Sequence, residues 1–498
     1  MTRLAVVALG CLSFISPIAS QQIYDVFTTT WDKSSLFTYS QPSPAIDFVS
    51  PGTDASADIV IDDSQVSQTV YGFGATLTDS SAKLLSQLKS NDADQYWSLL
   101  GYLFDATDGK QSAGITYLRV PIGATDFSDT VYSFDDVNGD TSLSSFNINN
   151  APSYVFSTLT DILGISSIIH IHLVPWSAPA WMKSGQTMNG GSLSTSYIDT
   201  YANYLLKSLQ AFKDKGVNAW AISIQNEPEN SDSTYPSCNM PVSTEAGVAT
   251  SLRTLMDNNG FSGVKIIGYE HNWNDAGGYP EQLMSSAGSD FSGVSFHCYV
   301  GSVSDQNTFH SAYPDKEIYQ TECTGQIGTD WWSDLKWYMD NLFIGAITDN
   351  AGTAAMWNLA LDSNGGPFLS GSDSCSTACR GVIQINSDGT WSPNQEFYAI
   401  AQASRAIVPK DSGGPFGQRI GVSVNGDLSW SLVAGAYKTG RTSSSDWPRY
   451  SLVVLNWDDS SSTTFNPVSV DATIEFQGKQ ATYTFPVGVT TLWWYASS

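Results

Sequence analysis

The stretch AWAISIQNEPEN, residues 219–230, decides the fold. Its first half, Ala219-Trp220-Ala221-Ile222-Ser223-Ile224, is an apolar run of strand length. Gln225, Asn226, Glu227, Pro228 and Glu229 follow at once. A charge leaves water only where something requires it. Glu227 therefore either marks a strand that has surfaced or is aimed into a site. The pattern also recurs. Short apolar, β-branched runs ending in polar residues lie at 71–78, 115–123, 168–176, 219–227, 264–272, 294–300, 317–323 and 354–361. Near-continuous apolar runs suit parallel strands covered on both faces.

Helical periodicity fills the gaps between them. SYIDTYANYLLKSLQAFKDKG (196–216) places Tyr201, Tyr204, Leu205, Leu209 and Phe212 on one stripe and ends at a glycine. DWWSDLKWYMDNLFIGAI (330–347) and NQEFYAIAQASRAI (394–407) behave likewise. Eight βα units in roughly 340 residues predict an α/β fold, a (β/α)8 TIM barrel spanning 62–409. A doubly wound open sheet, the rival, usually has fewer strands. From about residue 410 the chain becomes Gly/Ser-rich with short alternating strands such as YSLVVLNW and ATYTFPVG. This reads as an antiparallel β-sandwich over 410–498, which residues 21–61, also strand-like, are expected to join.

Residues 1–20 read as a secretory signal: Arg3, an apolar stretch to about Ile18, then small residues before Gln21. No later apolar run is long enough to span a bilayer, so a secreted, extracellular protein is expected. Basic residues number 22 against 48 acidic, a net charge of −26, which argues against nucleic acid or an anionic membrane as partner. Six cysteines less Cys11 in the signal leave five. Cys375 and Cys379, close together in a loop, are the expected disulfide, and the pairing of Cys238, Cys298 and Cys323 stays open. The spacing of a structural zinc site is absent. His170 and His172 share a strand face without a third ligand and read as packing. No metal or cofactor is called for.

In a barrel of this kind, the C-terminal ends of the strands carry the chemistry. Those ends hold Arg119 and then Asp126, Trp176, Asn226-Glu227, His297 and Tyr299, Glu322, and Trp357-Asn358. Either acid alone could be a surfaced carboxylate. Both together, on strands four and seven across the barrel mouth, are the pair that glycoside hydrolysis needs. One must be protonated to assist the leaving oxygen, and the other ionised to meet an oxocarbenium-like centre. Arg119 is expected to hold Glu322 ionised, and the nearby negative charge to raise the pKa of Glu227. Asn226 is expected to donate to a sugar hydroxyl, and Trp176 and Trp357 to wall the innermost subsite. The loop aromatics Tyr235, Trp273, Trp331 and Trp332 would suit an open cleft.

Several motifs carry a resemblance. YGFGATLTDSSA, LVPWSAPAWMK followed by MNGG, IQNEPE, FHCY, TEC and WNLALD together resemble glycoside hydrolase family thirty, the retaining glycosidases related to lysosomal glucosylceramidase. The likeness extends over essentially the whole chain after residue 20. It implies a barrel with a side β domain built from both ends of the chain, Glu227 as acid/base and Glu322 as nucleophile. It further implies Arg119, Asp126, Trp176, Asn226, His297, Tyr299 and Trp357 around the substrate. TYPSCNMP, GYEHNWNDAGGYP and DSCSTACRG are most similar to the fungal endo-β-1,6-glucanase branch. The expectation is a monomeric hydrolase of a polysaccharide, a β-1,6-linked glucan. The alternatives are a xylanase or glucosylceramidase of the same family, or a carbohydrate-binding protein without turnover.

Overall fold

The computed structural model describes residues 21–53, 56–375, 378–461 and 464–497. The proposed signal, residues 1–20, lies outside them. The recurring apolar runs form eight parallel strands: β1 (Gly72–Thr76), β2 (Tyr117–Ile122), β3 (His170–Pro175), β4 (Ala219–Ser223), β5 (Lys265–Asn272), β6 (Gly293–His297), β7 (Glu317–Glu322) and β8 (Ala351–Asn358). They close into a barrel in sequence order, β8 pairing with β1. Every residue of β1, β2, β6 and β8 is buried, as strands covered on both faces require. Gly74 permits the close approach of β1 to β2, because a Cβ there would lie 1.8 Å from the Tyr117 carbonyl oxygen.

The barrel interior is layered. Near the N-terminal ends of the strands, Tyr71, Trp220 and Tyr319 surround the Lys265–Glu317 ion pair. Above them Tyr117 donates to His172 Nδ1 at 2.6 Å. The C-terminal layer is polar and buried: Arg119, Ser223, Glu270, His297, Thr321 and Glu322. Aromatic rings around one ion pair fill the base, and a cluster of buried ionisable groups crowds the top, the end that carries chemistry in such barrels.

The second unit is one nine-stranded sheet curled on itself, so that Phe476 meets Tyr450 at 4.7 Å and Trp494 at 5.3 Å between ring centroids. It draws on both ends of the chain: the strand Asp25–Thr30 pairs antiparallel with Gly488–Tyr495, which pairs in turn with Arg449–Asn456. The strand Ile59–Thr69 stays in this sheet past residue 61, where the sequence placed the crossover. Its first residues, Ile59 and Ile61, feed the outer core, and the chain enters the barrel only at Gly72. Cys375 and Cys379 are bonded, Cys298 is bonded to Cys323, and Cys238 is buried and free among the described residues. Among the described residues no helix is long and apolar enough to cross a membrane.

The helix Gln395–Ile407 joins the two units, and all thirteen of its residues are buried. Gln402 donates to Thr29 Oγ1 at 2.9 Å and accepts from Thr491 Oγ1 at 2.6 Å, and Ser451 Oγ donates to the Ala406 carbonyl at 2.8 Å. On its other side Ser404 Oγ donates to the Gly114 carbonyl, which leads into β2. Such a wedge has no face on which to grow. Ala403→Leu is expected to lower stability by about 1–3 kcal/mol through overpacking, read as a lower urea midpoint. An unchanged midpoint would show a void beside Ala403.

Candidate active site

The segment after β4 is pinned on both sides. The Asn226 N–H donates to the Pro175 carbonyl at the end of β3 at 2.8 Å, and the Gln225 amide donates to the Trp176 carbonyl at 2.7 Å. The Glu227 N–H donates to the Glu270 carbonyl of β5 at 3.0 Å. Glu227 adopts φ 47°, a left-handed conformation costly for a residue with a Cβ. Its side chain lines a cavity of about 340 Å³ at the C-terminal ends of the strands, together with Asp126, Trp176, Asn226, Tyr299, Glu322 and Trp357. One carboxylate oxygen of Glu227, one of Glu322 and a ring nitrogen of His297 lie within 4.8 Å of one another.

Arg119 is wholly buried and organises the group. Its guanidinium donates to Glu322 Oε2 at 2.5 Å, to Asn226 Oδ1 at 2.5 Å and to Glu270 Oε2 at 2.9 Å. Its charge also lies 4.6 Å from the centre of the Trp176 ring. Tyr299 donates to the other Glu322 oxygen at 2.9 Å, so both oxygens of that carboxylate are held. Asn226 faces Arg119 with its oxygen, which leaves its NH2 group to donate elsewhere.

His297 bridges two carboxylates, Glu227 at 3.1 Å through Nδ1 and Glu270 at 3.3 Å through Nε2. Burial opposes its charge, yet Glu322, Glu227 and Glu270 outweigh burial and raise its pKa to about 9. Burial would likewise push the Glu227 carboxyl up, but the hydrogen bond and charge of His297 hold it at about 2. This corrects the expectation that Glu322 raises Glu227. The nearest strong influence on Glu227 is a cation, which a reading of strand ends one at a time does not reveal. Between those two values the Glu227–His297 pair shares one proton, carried by His297.

Glu270 was not singled out from the sequence. It sits in a bulge of β5, where the register against β6 slips between Gly268 and His271 and both Tyr269 and Glu270 have positive φ (70° and 51°). The Glu245 carboxylate accepts the Tyr269 N–H at 3.0 Å and holds the bulge. The bulge turns Glu270 into the barrel, where it accepts from Ser223 at 2.7 Å and Thr321 at 2.8 Å as well as from Arg119. His172, read as packing, lies in the same network, 2.7 Å from Ser223 Oγ through Nε2. Burial lowers its pKa to about 4, so it is neutral there and can donate to Ser223. A single Glu directly after the run Ile266–Tyr269 was the available signal.

Other expectations also change. Trp176 and Trp357 stack on each other at 4.9 Å with 24° between planes, so they line the cavity as one unit. Asp126 is buried, accepts from Ser374, and among the described residues its Oδ1 has no partner; burial raises its pKa to about 7. Of the four loop aromatics, Tyr235 lines the cavity. Trp273 and Trp332 are buried in the core, and Trp331 packs on Tyr398. The Cys375–Cys379 bridge forms part of the rim.

Residues 70–407 match the family model for the glycosyl hydrolase family 30 TIM-barrel domain. The chain is 32% identical over 405 residues to an endo-1,6-beta-D-glucanase of Neurospora crassa, covering 78% of each. It is 32% identical over 382 residues to one of Trichoderma harzianum, covering 72% of this chain and 73% of the relative. Among solved structures, an endo-beta1,6-glucanase superposes with a TM-score of 0.81 at 26% identity, over 95% of this chain and 99% of the other.

The two shifted pKa values tie stability to pH. Glu227, lowered from 4.5 to about 2, contributes stability that is fully present above its ordinary value and lost as pH falls toward 2. His297, raised from 6.5 to about 9, contributes stability that is fully present below 6.5 and lost as pH rises through 9. His297→Asn leaves buried carboxylates without their cation. It is expected to cost about 3–5 kcal/mol in the window between 4.5 and 6.5. It should also flatten the alkaline decline of the thermal midpoint. An alkaline decline as steep as the wild type's, by calorimetry, would place the titrating group elsewhere.

Proposed function

The chain belongs to glycosyl hydrolase family 30, and from that premise we propose that it is a retaining endo-glycosidase acting on β-1,6-linked glucan, with Glu322 as nucleophile and Glu227 as acid/base. The observation that carries this reading is the approach of one Glu227 oxygen and one Glu322 oxygen to within 4.8 Å across a cavity. A retaining reaction needs carboxyl groups about 5–5.5 Å apart, whereas an inverting one leaves roughly 6.5–9.5 Å for a water. The relatives named as endo-1,6-glucanases and the matching solved structure support the linkage.

Arg119 donates to one Glu322 oxygen and fixes its orientation, and Tyr299 steadies its second oxygen. Glu322 attacks the anomeric carbon as the bond to the glycosidic oxygen breaks, forming a covalent glycosyl-enzyme. The departing oxygen takes a proton from Glu227. That proton comes from the Glu227–His297 pair: a neutral sugar displaces water, and the drier site favours the uncharged form, carboxylic acid beside imidazole. Glu227, again a carboxylate, then takes a proton from water, whose oxygen attacks the same carbon and expels Glu322. Two inversions give net retention. Asn226 offers its NH2 to a ring hydroxyl, and the Trp176–Trp357 stack lies beside the sugar with Asp126.

The substrate test is digestion of β-1,6-glucan, β-1,3-glucan, xylan and glucosylceramide in parallel. It uses protein recovered from the culture medium, whose first residue is expected near Gln21. Internal cuts in β-1,6-glucan alone are expected. Cleavage of xylan alone would move the assignment within the family, and no cleavage at all would favour a binding protein.

The two acids are expected to fail differently. Glu227→Ala should still form the glycosyl-enzyme from an aryl glycoside with a good leaving group. Added azide should then speed turnover and give the retained β-glycosyl azide. Glu322→Ala should lose the covalent intermediate, with azide giving only the inverted α-product. A fluorosugar label found on Glu227 would reverse the roles.

A further inference from the structure

A second groove lies away from the catalytic cavity and shares no lining residue with it. It runs between the helix Trp331–Tyr338, with the π-helical turn Met339–Phe343 that continues it, and two loops of the outer sheet. It encloses about 390 Å³. Three indoles form it: Trp430, 58% exposed, Trp337, 39% exposed, and Trp457. The Trp457 Nε1–H donates to the Trp430 carbonyl at 2.6 Å, which fixes one ring against the other loop. Apolar surface of this kind is costly to leave in water and marks an interaction site.

The polar groups at the groove tell what kind. Lys336 is tied to Asp459 at 2.5 Å, and Trp332 donates to the same carboxylate at 2.7 Å, so that pair is internally neutralised. Asp340 differs. It sits half-buried on the π-helical turn, burial raises its pKa, and among the described residues its carboxylate meets only the Asn341 amide, at 3.4 Å. Asn341 itself is anchored to the Trp337 carbonyl at 3.0 Å. A π turn interrupts the regular helical ladder and is commonly kept where function needs it. Here it carries the acid and the amide of the groove.

Indole faces beside a carboxylate that carries only one long hydrogen bond match a pyranose, which has an apolar C–H face and a rim of hydroxyl donors. The uncompensated Asp340 charge repels phosphate and uronic acid groups, which points to a neutral saccharide. We propose that this groove is a second carbohydrate-binding site that holds the neutral glucan chain away from the catalytic cavity; the identity of the glucan rests on the function proposed above.

The test places Trp337→Ala/Trp430→Ala in an inactive Glu322→Gln background and runs it through gels containing β-1,6-glucan, β-1,3-glucan, xylan or no polymer. Retardation by β-1,6-glucan is expected to weaken about tenfold, the loss of two modest aromatic contacts. In the active background, turnover of a small aryl glycoside should be unchanged. Equal retardation of parent and variant overturns the site, and so does a matching loss of aryl-glycoside turnover. A dimer that the substitutions dissolve also overturns it, because the groove then holds a second copy of the chain. If the double variant does not fold, Trp430→Ala alone serves, its side chain being more than half exposed. If the digestion panel shows xylan as the substrate, the linkage proposal falls. The groove then stands only if the xylan gels show the same dependence on the tryptophans.

Discussion

A guanidinium with no exposure to water sets the terms for the upper half of the barrel. Arg119 cannot shed its charge, so it gathers acceptors and aromatic faces around it, although its Nε–H has no partner among the described residues. β7 supplies Glu322, β5 supplies Glu270, and the segment after β4 supplies Asn226. Trp176 and Trp357 sheathe what remains. Removing one member of such a buried set leaves the rest uncompensated, at a cost of about 3–5 kcal/mol. Three carboxylates, Glu227, Glu270 and Glu322, face two cations, Arg119 and protonated His297. The one negative charge left over faces the cavity.

That arrangement is held by backbone as much as by charge. Glu227, Tyr269 and Glu270 all occupy the left-handed region, and each has a partner for its stress. The Glu227 N–H is taken by the Glu270 carbonyl, and the Tyr269 N–H by the buried Glu245. β6 and β7 are also joined covalently one residue past the chemistry, because Cys298 follows His297 and Cys323 follows Glu322. Strained positions persist where their surroundings over-determine them, and here the surroundings are the three strands that carry the acids.

The barrel was legible because eight apolar runs of strand length are hard to hide, and their order in the chain is their order in the sheet. Glu227, Glu322 and Arg119 were legible because a charge at the end of an apolar strand has no packing reason to be there. Glu270 was not. Counting alternate residues along β5 assumes an even pleat, and the bulge breaks the count just where Glu270 turns inward. Trp273 and Trp332 were misplaced because a loop indole looks the same whether it lines a cleft or fills a core. The Cys298–Cys323 bond needed the register of β6 on β7, which places His297 opposite Glu322 and is invisible in spacing alone. The charge state of Glu227 depended on a histidine seventy positions away in the chain.

The outer sheet seats Gly488–Tyr495 between Asp25–Thr30 and Arg449–Asn456. In a chain made from its N-terminus, the first of these strands emerges early, and its main partner emerges after the whole barrel. Asp25–Thr30 then presents an open hydrogen-bonding edge throughout synthesis, and closing it spans more than 450 residues of chain. The barrel strands wait less, since β1 to β7 each pair with the next to appear and β1 alone keeps an edge open until β8. Ribosomal order therefore favours a barrel complete before its flank, with the N-terminal strand as the segment most in need of protection from other chains in the interval.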